Sequence, residues 1–199
     1  CLTTQWIHDI IVEFVYQFQG FCQYRCQFKY RTTDEIKILE ANRNIWVLPV
    51  VMGTLKKLSV KVPSSLVSAA SSTLEQFAYF ASIEQARLEC LLGDYRGALE
   101  ATAFVNLGDR SELYTALPSC HVNLYYHTGV CQMMLRKYAE AIDTFGEISL
   151  YLSRIMKPGA SSNLKNGIDQ MMKKSLDKVL ALTAICVSLL PGVKVDDQV

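Results

Sequence analysis

The stretch LGDYRGAL at residues 92–99 is followed, 43 residues further along the chain, by LRKYAEAI at residues 135–142. Each stretch has a tyrosine at its fourth position and an alanine at its seventh. Upstream of them, Ala86 and Gly129 are small residues with the same separation. An aromatic residue and small residues that recur at a fixed interval predict two copies of one helical hairpin.

The pattern resembles that of tetratricopeptide-like repeats, in which a small residue in the first helix lets the second helix approach closely. The aromatic residue opens the second helix, and the following alanine lies at the close crossing. The usual repeat has about 34 residues, and the connection over 106–118 accounts for the excess here. The alternative is an ordinary helical bundle with a coincidental match. Six residues are predicted to pack the repeats: Ala86, Tyr95, Ala98, Gly129, Tyr138 and Ala141.

The rest of the chain has helical rather than strand periodicity. Residues 5–27 carry Ile7, Ile10, Ile11 and further apolar residues at three- and four-residue steps. The predicted fold is all-α without significant sheet. Because one hairpin cannot bury both of its faces, antiparallel helix pairs are expected to stack into a right-handed superhelical array. We expect one continuous domain, with N-terminal helices over 1–58, a loop over 59–68, helical repeats over 69–192 and a frayed tail over 193–199.

Local signals predict where several helices begin and what they bury. Three caps are expected from side chains that accept backbone N–H bonds: Thr3 or Thr4 for the first helix, Thr32 with Glu35 for a helix up to about residue 41, and Ser119 for a helix over 120–135. Pro49 fits only the first turn of a helix over 45–58. Three residues of that helix are expected to be buried: Trp46, Val50 and Leu58.

Composition excludes several classes of protein. Half of the 199 residues are hydrophobic, which suits a sizeable core. The net charge of +1 gives the whole chain no drive toward nucleic acid or an anionic membrane. Its longest apolar runs are too short to span a bilayer. The seven cysteines are odd in number and include no CxxC pair, which indicates reduced thiols in a cytoplasmic protein.

The sequence predicts neither an enzyme nor a metal or cofactor site. His8, His121 and His127 belong to no catalytic or metal-binding motif, and no phosphate-binding loop is present. Cys22 and Cys26 are four residues apart on one helix, but no second ligand pair follows at zinc-site spacing. The carboxylates of the longest repeat helix, Glu84 and Glu89, are expected on solvated faces.

Two groups of residues are candidates for binding partners. Exposed aromatic residues are natural hot spots in protein interfaces, although core packing competes for the same residues; the candidates are Tyr16, Tyr24, Tyr125 and Tyr126. Residues 154–178 hold six basic side chains against two acidic ones, so this stretch could contact RNA phosphates. A solvated helix face is the alternative for its lysines: Lys165, Lys173, Lys174 and Lys178.

The first helix resembles a known family. Its sequence WIHDIIVEFVYQFQ at 6–19, followed by QYRC at 23–26, resembles a signature helix of the L subunits of eukaryotic translation initiation factor three. Further matching stretches are spread along the chain: Asn44–Trp46, Leu91–Tyr95, Pro118–Cys120, Tyr125–Tyr126, Met133–Tyr138, Ala141–Ile142 and Leu150–Tyr151. Residues 157–177 match poorly, the link from Ser59 to Ser72 is short, and the winged helix that closes the family's PCI domain is missing. Since the chain also begins at Cys1, we expect a segment of a longer protein.

The resemblance implies a tetratricopeptide/PCI-like fold and a non-catalytic scaffold subunit of an initiation factor complex. Such a subunit binds the small ribosomal subunit and supports preinitiation complex assembly and mRNA recruitment in the cytoplasm. Its expected neighbours are the K subunit and, in the shared core, the E and C subunits. The repeat alone leaves an alternative open, which is a generic tetratricopeptide adaptor that binds peptide tails of partner proteins.

Overall fold

The computed structural model describes residues 2–60, 68, 70–156 and 166–190. None of these residues lies in a β-strand. Two short 3₁₀ segments, Phe28–Tyr30 and Leu113–Ala116, accompany the α-helices. In chain order these are α1 (Thr4–Cys26), α2 (Thr33–Ala41), α3 (Leu48–Ser59), α4 (Thr73–Leu92), α5 (Tyr95–Ala101), α6 (Pro118–Met134), α7 (Tyr138–Ile155) and α8 (Asn166–Leu189). The all-α prediction is confirmed.

The described residues divide into two compact units. The first combines those of Cys1–Leu88 with Phe104–Leu113, and the second combines Glu89–Ala103 with those of Tyr114–Val199. The predicted connection over 106–118 therefore belongs largely to a different unit from the helices before and after it. The domain division remains a prediction, and residues 61–67 of its loop and all of its tail lie outside the described residues.

Helix α1 packs through one apolar stripe. Its buried hydrophobic side chains recur at three- and four-residue steps, as an amphipathic helix requires: Ile7, Ile11, Val15 and Phe18. Thr3 caps the helix, because its hydroxyl oxygen accepts a hydrogen bond from the Trp6 N–H at 3.4 Å. The next helix begins with the predicted capping box. The Glu35 carboxylate accepts the Thr32 N–H there at 2.8 Å, and the Thr32 hydroxyl oxygen accepts the Glu35 N–H at 3.3 Å.

Helix α3 has Pro49 in its first turn, as predicted. The residues that it buries are Val51 and Leu55, whereas Val50 is 58 % exposed. Trp46 and Leu58 are only half-buried. The burial prediction was wrong because Trp46 precedes the helix, with a left-handed φ of 51°. The inner face of the helix is set instead by Val51 and Leu55.

Helix α4 is enclosed along its middle. Every residue of Ala78–Ala86 is buried, and the side chain of Glu84 is 1 % exposed. Its carboxylate pairs with the Arg87 guanidinium at 2.9 Å, and Arg87 also donates to Gln19 at 3.1 Å. Glu89 is only 4 % exposed. The prediction of solvated carboxylates was wrong because this helix has no solvent face at these positions.

The segment Phe104–Leu113 is fixed to α4 by a buried carboxyl group. Glu112 is 5 % exposed. It accepts hydrogen bonds from the Tyr79 hydroxyl and from the Asn106 N–H, both at 3.1 Å. The Phe104 ring meets the Tyr79 ring edge to face, with centroids 5.5 Å apart. The extra residues between the two repeat stretches therefore form an ordered segment of the first unit.

In the second unit, α6 and α7 pack closely against each other. A Cβ atom added to Gly129 of α6 would overlap the Phe145 ring of α7, at 2.7 Å from Cδ1. Gly129 therefore allows the close approach that the repeat predicts. The buried hydrophobic stripe of α7 faces α6 and α8: Ala141, Phe145, Ile148 and Leu152.

Helix α6 begins one residue earlier than its predicted cap. Pro118 occupies its first turn, and Leu117 at the cap position provides no side-chain hydrogen bond. Proline lacks the N–H that a cap would satisfy, and its fixed φ suits the first helical position. The prediction that Ser119 caps this helix was wrong for that reason.

The two repeat stretches form the same turn. Gly93 and Arg136 occupy equivalent positions and both have left-handed φ values, 87° and 63°. The next N–H donates to the carbonyl five residues earlier, at 2.9 Å in both turns, Asp94 to Glu89 and Lys137 to Gln132. This is the Schellman termination of a helix. A second helix starts directly afterwards, at Tyr95 and at Tyr138.

Candidate protein interface

The side of α1 opposite its buried stripe carries large apolar side chains. The exposed fractions are 64 % for Trp6, 43 % for Ile10, 63 % for Tyr16 and 40 % for Tyr24. We call these four residues the outer face of α1. Exposed apolar residues gathered on one element mark an interaction surface more strongly than scattered ones. Tryptophan and tyrosine are also the side chains most often found at interface hot spots.

Sequence reasoning found only part of this face. Tyr16 and Tyr24 were predicted, but Trp6 was missed and Ile10 was grouped with Ile7 and Ile11 in one apolar pattern. Each residue step turns a helix by about 100°, so Ile7 and Ile11 fix the inner face and Ile10 lies outside it. The sequence signal that could have revealed the whole face was the second apolar stripe of this helix. A helix with two apolar stripes can bury one in the core and expose the other to a partner.

Tyr24 is partly exposed but held by neighbouring groups. The Arg31 guanidinium lies 4.8 Å from the centre of its ring and donates to its backbone carbonyl. The Tyr24 hydroxyl donates to Glu35 at 3.3 Å. A backbone hydrogen bond from Thr32 lowers the pKa of Glu35, which keeps this carboxylate ionised as an acceptor. A side chain that is ordered before binding loses less entropy on binding.

Helix α2 adds further exposed apolar surface to the first unit. None of its residues is buried. Ile36 is 43 % exposed and Ile38 is 62 % exposed. A helix of nine residues that buries none of its own side chains gains little from the core, and its capping box supports it instead.

The other two candidate tyrosines lie in the second unit. Tyr125 is 3 % exposed, so its predicted role as a partner-facing residue is wrong. Tyr125 lies on a side of α6 that faces an aromatic cluster. The Tyr125 ring is 5.0 Å from the His121 ring, and the Tyr125 hydroxyl is 3.4 Å from the Tyr114 hydroxyl. Tyr126 is half-buried, and its ring is 5.1 Å from that of His127.

His121 is a packing group within this cluster. Its ring centre lies 5.0 Å from that of Tyr114 and 4.0 Å from that of Tyr151. Among the described residues, its Nδ1 atom has no hydrogen-bond partner. Burial lowers the pKa of His121 to about 4, so the imidazole is neutral at pH 7. A neutral ring held among tyrosines suits packing rather than proton transfer.

The predicted RNA-facing lysines are partly described. Lys173, Lys174 and Lys178 are exposed on α8, and Lys165 lies outside the described residues. Asp177 is exposed on the same helix. The three lysines therefore form a small basic patch beside an acidic side chain.

The described part of the chain contains no group of three or more His, Cys, Asp or Glu side chains that could hold a metal ion. Within the same ranges, no helix has both the length and the apolar character to cross a membrane.

The comparison with known families covers the whole chain. Residues 1–199 match the family described as RNA polymerase I-associated factor PAF67. This chain belongs to that family. It is 32 % identical to eukaryotic translation initiation factor 3 subunit L of Bos taurus and of Homo sapiens, and 31 % identical to that of Danio rerio. The resemblance stated from the first helix is confirmed.

These alignments cover the PAF67-family chain completely but its relatives only in part. The match includes 100 % of this chain and 37 % of the bovine and human subunits. The chain thus spans little more than a third of the length of these relatives. The relatives are named as subunits of a translation initiation factor, and these names describe no reaction.

Proposed function

We propose that this chain is a non-catalytic scaffold segment of a translation initiation factor complex in the cytoplasm. The observation that carries the proposal is the match of all its residues to subunit L of eukaryotic translation initiation factor 3, at 32 % identity. The complex binds the small ribosomal subunit, and this segment supports preinitiation complex assembly and mRNA recruitment. Its helices hold other subunits in place and perform no chemistry of their own.

The outer face of α1 is the proposed docking surface for another subunit of the complex. The K subunit is the first candidate, followed by the E and C subunits. Trp6 and Tyr16 are each more than 60 % exposed, so covering them removes a large apolar area from water. Tyr24, which is held by Arg31 and Glu35, adds an ordered edge to the same surface.

Affinity capture tests membership of the complex. The full-length protein is tagged in cells of its source organism, and the captured proteins are identified by mass spectrometry. We expect the other initiation factor subunits and the small ribosomal subunit. The family description refers to RNA polymerase I, so capture of that polymerase without initiation factor subunits would contradict the proposal.

A second capture tests the docking surface. Trp6→Ala combined with Tyr16→Ala is expected to lower recovery of the neighbouring subunit at least about 10-fold, since aromatic hot spots contribute about 2 kcal/mol or more each. Met171→Ala is the matched control, because Met171 is 73 % exposed on α8 and lies outside the outer face. Equal recovery with both variants would exclude the outer face of α1 as the docking surface.

Direct RNA contact is a separate proposal for the lysines of α8. Replacing Lys173, Lys174 and Lys178 by alanine is expected to weaken binding of ribosomal RNA and to reduce its dependence on salt. Unchanged binding and salt dependence would assign these lysines to a solvated helix face.

The alternative function is a tetratricopeptide adaptor for peptide tails, which the two equivalent turns at Gly93 and Arg136 favour. It predicts micromolar binding of short peptides in a groove of the repeat region. Titration of the purified chain with C-terminal peptides of captured partners distinguishes the two functions. Binding of an isolated peptide favours the adaptor, and binding of folded subunits alone favours the scaffold.

A further inference from the structure

The C-terminal end of α1 and the residues that follow it carry concentrated positive charge. Residues 14–33 contain Arg25, Lys29 and Arg31 and no Asp or Glu, although the whole chain has a net charge of only +1. Lys29 is exposed, and both arginines are half-buried. This part of the first unit can therefore attract an anion that the chain as a whole does not.

Aromatic rings lie between these cations. The Arg25 guanidinium lies 5.8 Å from the centre of the Phe21 ring, and the Arg31 guanidinium lies 4.8 Å from the centre of the Tyr24 ring. The centres of the Phe21 and Tyr24 rings are 6.4 Å apart. Two cations and two rings thus form one continuous row, in which attraction to the ring faces holds both guanidinium groups in place.

Tyr30 adds an exposed ring to the same stretch. It ends the 3₁₀ segment Phe28–Tyr30 and lies between Lys29 and Arg31 in the sequence. Tyr30 is 87 % exposed, the highest value among the exposed large hydrophobic side chains of the described residues. Such a ring contributes little to the core, and its faces are open to a flat ligand that can stack on them.

We propose that these residues bind single-stranded nucleic acid, and we call them the basic–aromatic patch: Phe21, Tyr24, Arg25, Lys29, Tyr30 and Arg31. Cations that attract phosphates, combined with rings on which bases stack, are the features that single-strand binding uses. A duplex offers the same phosphates but keeps its bases stacked inside, so Tyr30 cannot reach a base face. That the strand is RNA rests on the proposed function.

One acidic side chain contacts the patch. The Glu35 carboxylate accepts hydrogen bonds from the Tyr24 hydroxyl at 3.3 Å and from the Thr32 N–H at 2.8 Å. Three cations and this one carboxylate leave a local net charge of +2. The positive charge that attracts phosphates is therefore reduced by Glu35 but not cancelled.

The lysines of α8 lack this combination. Lys173, Lys174 and Lys178 accompany the exposed Asp177, and α8 contains no Phe, Tyr or Trp. That helix can attract phosphates, but it has no ring on which a base can stack. A preference for single strands over duplexes is therefore expected of the basic–aromatic patch and not of α8.

The first test measures stacking at Tyr30. The purified full-length protein is titrated against a fluorescein-labelled, unstructured RNA of about 12 nucleotides, and binding is followed by fluorescence anisotropy. Tyr30→Ala is expected to weaken binding about 10-fold, because one stacked base is lost. Tyr30→Phe keeps the ring and should retain the wild-type affinity.

Tyr16→Ala is the matched control for this substitution. It removes another exposed tyrosine of the first unit, one that belongs to the outer face of α1 and not to the patch. It should leave the affinity for RNA unchanged. Equal affinity of Tyr30→Ala and wild type, or equal losses in Tyr30→Ala and Tyr16→Ala, would overturn the proposal.

The second test measures the phosphate contacts through salt. Lys29→Ala should reduce the slope of log affinity against log salt concentration by about 0.7, which corresponds to one phosphate contact on a single strand. Lys57→Ala removes an exposed lysine of α3 in the same unit and should leave the slope unchanged. The same slope in Lys29→Ala and wild type would contradict a phosphate contact at this patch.

Unlabelled competitors identify the class of ligand. The single-stranded RNA should compete at least about 10-fold better than the same RNA annealed to its complement, because the duplex hides its bases. Equal competition by the duplex would reduce the site to general attraction for phosphates, and equal competition by an oligoglutamate peptide would assign it to an acidic protein partner. Either result would overturn the proposal.

Crosslinking in cells distinguishes messenger RNA from ribosomal RNA as the source of the strand. The tagged full-length protein is crosslinked by ultraviolet light, and the RNA that it retains is sequenced. Tyr30→Ala should lower the yield of crosslinked RNA, and an unchanged yield would contradict the proposal. Because the binding assays need no other subunit, they can fail while capture of initiation factor subunits succeeds, and the reverse.

Discussion

The two repeats have the same turn but very different second helices. At Gly93 and at Arg136 the backbone takes the same left-handed conformation, and equivalent hydrogen bonds close both turns. The helix that follows has 7 residues in the first repeat and 18 in the second. The two repeats thus share the same turn but differ in the length of the helix that follows it.

The difference shows what each part of the hairpin depends on. The turn depends on local hydrogen bonds and needs no partner helix. Helix α7 is long because it buries a full apolar stripe, whereas the buried residue of α5 is Ala98. Beyond α5 the chain enters the first unit, where Glu112 anchors it. Tertiary packing, rather than the turn, therefore sets the length of the second helix.

The largest effect is expected from removing that anchor. Glu112→Ala leaves the Tyr79 hydroxyl and the Asn106 N–H without their buried acceptor, and it should lower the free energy of unfolding by about 3 kcal/mol. Urea denaturation followed by circular dichroism measures this change. Asp109→Ala in the same segment is the control, because its hydrogen bonds to Ser111 are exposed. A similar cost for both variants would mean that Glu112 does not anchor the segment.

The close helix pair of the second repeat gives the next effect. Gly129→Ala places a methyl group against the Phe145 ring, and this overpacking should cost about 2 kcal/mol. Gly146→Ala is the matched control, because nothing lies within 4 Å of its added Cβ. It should stabilise the protein by about 0.5 kcal/mol, since alanine favours a helix over glycine. Thermal unfolding of both variants tests whether the signs differ.

The second repeat should also make the stability of the protein depend on pH, through His121. His121 has its pKa lowered from 6.5 to about 4 by burial, whereas Ala78 occupies the equivalent position of the first repeat. Between these values the unfolded chain binds a proton that the folded chain excludes, so His121 supports stability above pH 6.5 and loses this support as the pH falls toward 4. After discounting for partial exposure, we expect a loss of about 1.5 kcal/mol.

Comparison of wild type with His121→Phe at pH 7 and pH 4.5 isolates this contribution. On acidification His121→Phe should lose about 1.5 kcal/mol less stability than the wild type. Tyr151→Phe keeps the imidazole in its cluster and should retain the wild-type dependence. An identical pH dependence in all three proteins would show that His121 does not titrate differently in the folded chain.

The smallest effects are expected at the turn itself. Gly93→Ala should cost about 1 kcal/mol, because alanine is disfavoured at a left-handed φ of 87°. Arg136→Gly removes the conformational strain of a non-glycine residue at φ 63°. Glycine also increases the entropy of the unfolded chain, which offsets part of this gain, so a net stabilisation of about 0.5 kcal/mol is expected. Chemical denaturation should therefore rank the two variants on opposite sides of wild type.

The sequence predicted those features that depend on local chemistry. The capping box of Thr32, the proline at the start of α3 and both repeat turns were found from residue types and their spacing. Features set by tertiary enclosure were missed. Nothing in the pattern shows that Glu84 and Glu89 are surrounded by other elements or that Tyr125 faces a cluster of rings. On α1, helical spacing separates two apolar stripes but does not say which one the core covers.

Photo-crosslinking from the outer face of α1 tests the central claim most directly. A photoreactive phenylalanine analogue replaces Tyr16 in the tagged full-length protein, and a second protein carries it at Met171 on α8 as the control. After irradiation of the assembled complex, we predict crosslinks from position 16 to another initiation factor subunit, with the K subunit first. The claim would be contradicted if position 16 formed no crosslink to any subunit in a complex that still contains the protein.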